Sequence, residues 1–119
     1  MAKDFGFSDK SFHKWLKLRS EFAAAKSAKD WPNVIQGCNL ILELDDKAKY
    51  IGIFVPLFLK EIAKAHAKLG DRPNAIKNYR LAKEAFEEYR ESKALNKPDD
   101  RLDEIAKMNK AIAKLSVGS

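Results

Sequence analysis

A twelve-residue stretch occurs twice in this chain and limits what the chain can fold into. Asp30-Trp-Pro-Asn-Val-Ile-Gln-Gly-Cys-Asn-Leu-Ile41 returns 41 positions later as Asp71-Arg-Pro-Asn-Ala-Ile-Lys-Asn-Tyr-Arg-Leu-Ala82. Asp, Pro, Asn, Ile and Leu are identical between the copies, and apolar slots correspond at Val34 and Ala75, Cys38 and Tyr79, and Ile41 and Ala82. Each copy reads as a helix start. The Asp side chain accepts from N–H groups that a new helix leaves unpaired, and Pro in the first turn lacks a donor that nothing there requires. Recurrence of a unit this long marks an array of helical hairpins, each burying its apolar face by stacking on the next. Such an array implies the work of holding a partner.

The rest of the chain fills in the hairpins. Residues 1–7 read as an extended lead-in, with Phe5 and Phe7 packing back on the first helix. Ser8 caps that helix, and Phe12, Trp15, Leu18, Phe22 and Ala25 form one apolar stripe as far as about Ala28. Asp30 opens helix two, which carries Val34, Ile35, Cys38, Ile41 and Leu42 inward and ends across Leu44 to Lys47. Gly37 weakens it and permits a close crossing with a neighbour. The densest apolar run, Tyr50 to Leu59, continues through Ile62, Ala63 and His66 to Gly70. Pro56 leaves two readings: a long helix from about Lys47 kinked at the proline, or a turn followed by a helix that begins there. The kinked helix is preferred, because a strand at this point has nothing to pair with. Being apolar on nearly every side, this helix belongs at the centre of the fold. Helix four runs from Asp71 to about Leu95, with Ala75, Ile76, Tyr79, Ala82, Phe86 and Tyr89 inward. Asn96 to Pro98 breaks the chain. Helix five follows with Leu102, Ile105, Met108 or Asn109, Ile112 and Leu115, and the last four residues fray.

The predicted fold is all-α: five helices in two stacked antiparallel hairpins plus a C-terminal capping helix, as one domain. Its parts are the lead-in 1–7, hairpin one over 8–46, hairpin two over 47–95 and the capping helix over 98–115. A single cysteine excludes an intrachain disulfide. The longest uncharged run, Trp31 to Leu42, has twelve residues, well short of the roughly 20 a spanning helix needs, and no signal core follows Met-Ala-Lys-Asp. The expected location is the cytoplasm. The net charge of +6 divides unevenly: residues 1–29 carry seven Lys/Arg against three acids and 71–97 seven against five, while 30–70 and 98–119 balance.

The second unit resembles a tetratricopeptide repeat. Leu59, Ile62, Ala63 and His66 stand at that family's first-helix spacing, Gly70-Asp71 at its turn, and Ala75, Tyr79 and Ala82 at its second-helix positions. The frame runs from Pro56 to about Tyr89. The first unit, about 15–46, departs more: Lys29 replaces the turn glycine, Phe22 stands where a small residue is usual, and Val34 and Cys38 replace Ala and Tyr. The period exceeds the usual one by about two helical turns, placed at Lys49 to Val55. The resemblance implies partner binding in a groove lined by helices one and three. In peptide-clamp members of that family, groove Lys and Asn side chains hold a C-terminal carboxylate. The corresponding slots here are Arg19, Ala23, Lys60 and Lys64, so the charge is partly kept and the Asn is absent.

Function is read from what those helices present. Arg19, Lys60, Lys64 and Lys68 are the candidate contacts for anionic groups of a protein or peptide partner, with Trp15 and Phe22 as apolar contacts. The lysines of helix three also read as the solvated stripe of an otherwise buried helix. His66 has no companion at ligand spacing and His13 has only Asp9 one turn before it, Cys38 occupies an apolar slot, and no phosphate loop, nucleophile elbow or carboxylate pair occurs. The Asp45-Asp46 and Asp99-Asp100 doublets read as helix-terminal residues. No catalysis, metal or cofactor is assigned. Trp31 reads either as a staple between helices one and two, which is preferred, or as part of a partner-binding surface. The first reading is a non-enzymatic adaptor that also self-associates through its apolar excess. The second is a basic nucleic-acid-associated protein using Lys10, Lys14, Lys17 and the helix-three lysines, and the third is a neutralising partner of a toxin or nuclease.

Overall fold

The two copies of the repeated stretch build the same turn twice. In the computed structural model, which describes residues 9–47, 53–92 and 102–117, the chain forms α1 (Asp9–Ser27), α2 (Trp31–Lys47), α3 (Val55–Lys68), α4 (Arg72–Ser92) and α5 (Leu102–Val117). After α1, the Asp30 amide donates to the Ala25 carbonyl at 2.9 Å and the Lys29 amide to Lys26 at 3.1 Å. After α3, Asp71 donates to His66 at 2.9 Å and Gly70 to Ala67 at 3.1 Å. Both are Schellman closures, which need a left-handed residue after the helix. Gly70 supplies it at φ +80° and Lys29 at φ +58°. The missing glycine of the first unit is therefore filled by a lysine in a glycine conformation.

Each turn then starts a helix in the same way. Asn33 Nδ2 donates to Asp30 Oδ2 and Asn74 Nδ2 to Asp71 Oδ2, both at 2.7 Å. The Asn74 backbone N–H also donates to Asp71 Oδ1 at 3.3 Å. In both copies the Asn three residues on clamps the Asp carboxylate, and in the second that carboxylate also caps the helix by accepting a backbone N–H. These hydrogen bonds hold the Asp71 carboxyl below the usual carboxylate range, with a smaller contribution from His66.

Consecutive helices pack in chain order, α1 on α2, α2 on α3, α3 on α4 and α4 on α5. Two core clusters result. One joins Leu18, Val34, Cys38, Ile41 and Leu44 to Ile53, Phe58, Ile62 and Ala65, with Trp15, Phe22 and Trp31 half-buried against it. Trp31 is thus packed against the core rather than fully exposed. The other joins Ala63, Tyr79 and Ala82 to Met108, with Leu59, Ala111, Ile112 and Leu115. On α5 it is Met108 that faces inward; Asn109 is exposed, as is Leu102. The helix runs past Leu115, to Val117.

The expectation of a helix kinked at Pro56 is corrected. Ile53 and Phe54 are outside any helix, with Phe54 extended, α3 begins at Val55, and Pro56 lies in its first turn, where its missing N–H costs no hydrogen bond. The β-branched and aromatic residues before the proline are used as plugs. Ile53 enters the first core cluster, and the Phe54 ring sits edge-on to Phe86 at 5.8 Å and to Tyr89 at 5.2 Å. The part of the kinked-helix reading that falls on 48–52 lies outside the described residues. So do the lead-in with Phe5 and Phe7, the Ser8 cap, the extension of α4 to Leu95, the Asn96–Pro98 break and the final Gly-Ser.

Size exchange explains how two divergent copies adopt one shape. Hairpin one offers Phe22 on its first helix and Gly37 and Cys38 on its second; the 41-residue equivalents of Phe22 and Cys38 are Ala63 and Tyr79. A Cβ placed on Gly37 would lie 3.7 Å from Phe22 Cβ, an ordinary contact distance. The bulk sits on the first helix in one hairpin and on the second helix in the other, so both cores fill. The equivalence ends at the outer face of α1, where Lys17, Glu21 and Ala24 are exposed; α3 turns Phe58, Ile62 and Ala65 into the core at those positions.

Candidate binding face on α1 and α3

The seam between α1 and α3 is made of rings and one buried carboxylate. Phe58 is 5% exposed and takes the edges of Trp15 at 6.0 Å and Phe22 at 5.5 Å. Further along, Lys26 Nζ on α1 meets Glu61 Oε2 on α3 at 3.1 Å. The step from Phe22–Phe58 to Lys26–Glu61 moves one turn along both helices, so α1 and α3 run in the same direction at this seam. On α1 the outer stripe is Phe12, Leu16, Arg19, Ala23 and Lys26, all exposed; on α3 it is Leu57, Lys60, Lys64 and Lys68. Leu16 and Leu57 are 41-residue equivalents, as are Arg19 and Lys60. The face is apolar where the two helices begin and cationic towards their ends.

The residues singled out from sequence divide into three groups. Trp15 and Phe22 are half-buried keystones of the seam, each presenting one ring face to a cation: Arg19 Cζ lies 5.6 Å from the Trp15 centroid and Lys26 Nζ 5.9 Å from that of Phe22. Lys60 is engaged by α5, its Nζ 3.1 Å from Glu104 Oε1. Arg19, Lys64 and Lys68 are exposed. Sequence reasoning missed Lys26, Glu61, Leu16 and Leu57. The 41-residue offset, extended upstream of the repeated stretch, pairs the two leucines and was the available signal. Glu61 gave none, because an acid beside a lysine row reads as solvated.

Glu61 is the only buried charged residue among the described residues, at 5% exposure. Lys26 Nζ and Lys64 Nζ approach the same oxygen of it, Oε2, at 3.1 and 4.0 Å. Its field reaches two other elements. The Cys38 thiol is pushed up to about 12, chiefly by burial and then by Glu61, and the Tyr79 hydroxyl is raised by the same two causes in the same order. A thiol that stays protonated at neutral pH is a poor nucleophile.

His66, at the end of α3, places Nδ1 3.5 Å from Asp71 Oδ2, and that atom is buried without a hydrogen bond. His13 is exposed beside Phe12. Among the described residues no three His, Cys, Asp or Glu converge as a metal site, and no helix is long and apolar enough to cross a membrane.

Charge is partitioned by layer. Helices α1 and α3 together carry eight Lys/Arg against three acids, while α2, α4 and α5 together carry nine against nine. Counting by stretch hid this, because residues 30–70 join acidic α2 to basic α3. Comparison with family models, curated proteins and solved structures gives no match.

Proposed function

We propose that the chain is a non-enzymatic protein-interaction module that binds an acidic partner segment across the outer stripes of α1 and α3. The observation that supports it most directly is the charge partition: the whole excess of the five helices lies on the two helices that meet at this seam. Exposed apolar side chains on the same face, Phe12, Leu16 and Leu57, suit a segment carrying an apolar residue beside its acids. Interfaces draw their affinity from such buried apolar anchors and their specificity and association rate from charge. The hairpin-repeat reading, with its resemblance to tetratricopeptide arrays, supports the same face, since it makes α1 and α3 the first helices of the two hairpins. The buried, protonated Cys38 offers no competing chemistry.

Affinity capture from the native cell with paired charge variants tests the proposal. Arg19→Glu with Lys64→Glu reverses two exposed charges on the face, and Lys77→Glu with Arg80→Glu reverses two exposed charges on α4. Partners lost from the first variant and kept by the second support the reading; partners retained equally by both refute it. Nucleic-acid binding is the competing result, recognised by an affinity that falls steeply with salt in proportion to the phosphates contacted.

A further inference from the structure

We propose that Lys26 and Lys64 form a preorganised binding pair for a carboxylate of the acidic segment, with the buried Glu61 as its built-in competitor. This rests on the α1–α3 reading above and assigns the atoms. Both ammonium groups converge on Glu61 Oε2, at 3.1 and 4.0 Å, yet their side chains remain 46% and 47% exposed while that of Glu61 is 7% exposed. Two cations on one carboxylate leave a positive charge at the seam. Each ammonium has three donors, and the contacts to Glu61 occupy a minority of them. An incoming carboxylate can bridge the two ammonium groups from the solvent side while Glu61 holds Lys26 from below and attracts Lys64 by charge.

The arrangement works in two directions. Lysine side chains are flexible, and the 3.1 Å hydrogen bond that holds Lys26 on this buried oxygen, with the charge that draws Lys64 to 4.0 Å from it, removes part of the ordering cost that binding would otherwise incur. The same buried charge repels the ligand. The other cations of the face are differently placed: Lys60 is held by Glu104 of α5, and the Arg19 guanidinium lies over Trp15. Since Lys26 and Lys64 lie past the apolar start of both stripes, the segment presents its apolar residue towards Leu16 and Leu57 and its acids towards the helix ends.

Titration of the full chain with hexaglutamate, followed by NMR of the lysine ε-methylene groups, tests this. The Lys26 and Lys64 signals are expected to shift most and to saturate. Lys64→Met weakens binding several-fold, and Lys26→Met with Lys64→Met abolishes it. Glu61→Gln is expected to tighten binding roughly threefold, the effect of removing a unit charge about 6 Å away in a water-like dielectric. The triple variant that adds Glu61→Gln to the two methionines leaves no buried charge unpaired. It is also expected not to bind, which separates lost binding from lost folding. Unchanged or weaker binding by Glu61→Gln overturns the competitor role. If that variant does not fold, the Lys64→Met result decides whether the pair exists. Shifts confined to Lys60 or Lys68 overturn the pair and leave the α1–α3 reading standing; shifts confined to Lys10, Lys14 and Lys17, or to residues away from α1 and α3, overturn both. Tighter binding of a six-phosphate oligonucleotide that survives both methionine substitutions overturns the proposal in favour of nucleic acid.

Discussion

Replacing Lys29 with glycine is expected to stabilise the protein, and the mirror substitution at Gly70 is expected to destabilise it. Lys29 holds φ +58° and Gly70 φ +80° in equivalent turns. A residue with a Cβ pays about 1–2 kcal/mol in the left-handed region, whereas glycine adopts it freely and instead loses about 0.5–1 kcal/mol more backbone entropy on folding. The difference leaves Lys29→Gly about 0.5–1 kcal/mol more stable. Gly70→Ala loses about 1 kcal/mol, and only from the backbone, because a Cβ there meets nothing within 4 Å. For a chain of this size 1 kcal/mol moves Tm by about 4 °C. Urea unfolding followed by circular dichroism reads both changes, with the m-value unchanged. If the two turns act independently, the double variant should sit near the sum of the singles. A Lys29→Gly protein no more stable than the parent, alongside a Gly70→Ala protein that is weakened, would refute the claim that the two turns are equivalent.

Three further outcomes follow from the packing. Gly37→Ala should add about 0.5–1 kcal/mol, since the new methyl meets Phe22 at an ordinary distance and alanine is the better helix former; a loss of stability in urea melts would show a tighter crossing than the structure gives. Phe58→Ala should cost about 3–5 kcal/mol, because Trp15 and Phe22 both lose their edge contact; a cost near 1 kcal/mol would remove Phe58 as the keystone. Cys38 should resist alkylation in the native state at pH 8. Its folded value, about 12, lies above the ordinary 9.0. The stability it contributes is therefore complete below pH 9 and is lost as pH rises towards 12. Denaturation measured from pH 8 to 10.5 should show a steeper decline in the parent than in Cys38→Ala, and equal slopes would count against the buried thiol.

Local signals of cap, turn and period were legible from the sequence. Asp30 and Asp71 with their Pro and Asn marked two helix starts, Gly70 marked an end, and the stripe through Ala75, Tyr79, Ala82 and Phe86 identified the inner face of α4. What was not legible depended on distance in the chain. Pro56 allows two backbone paths, and the choice is made by Phe86 and Tyr89, which receive Phe54 from thirty residues away or more. Glu61 looked solvated because its partner Lys26 lies 35 positions earlier. Lys60 looked free because Glu104 belongs to the last helix. Leu16 and Leu57 were overlooked in favour of Trp15 and Phe22, since ring size draws attention before exposure is known.

The exposed Lys17 and Glu21 on the outer face of α1 have a consequence for assembly. A hairpin array is a heterologous stack, and copies joined head to tail through such faces would grow without limit. For one chain to take the place of α5 on another, its α1 face would have to enter the second cluster, beside Ala63, Tyr79 and Ala82. That would desolvate an ammonium and a carboxylate where hairpin two brings phenylalanine and isoleucine, at a cost of several kcal/mol per ion. Two charged side chains on α1 therefore oppose growth of the stack from that end.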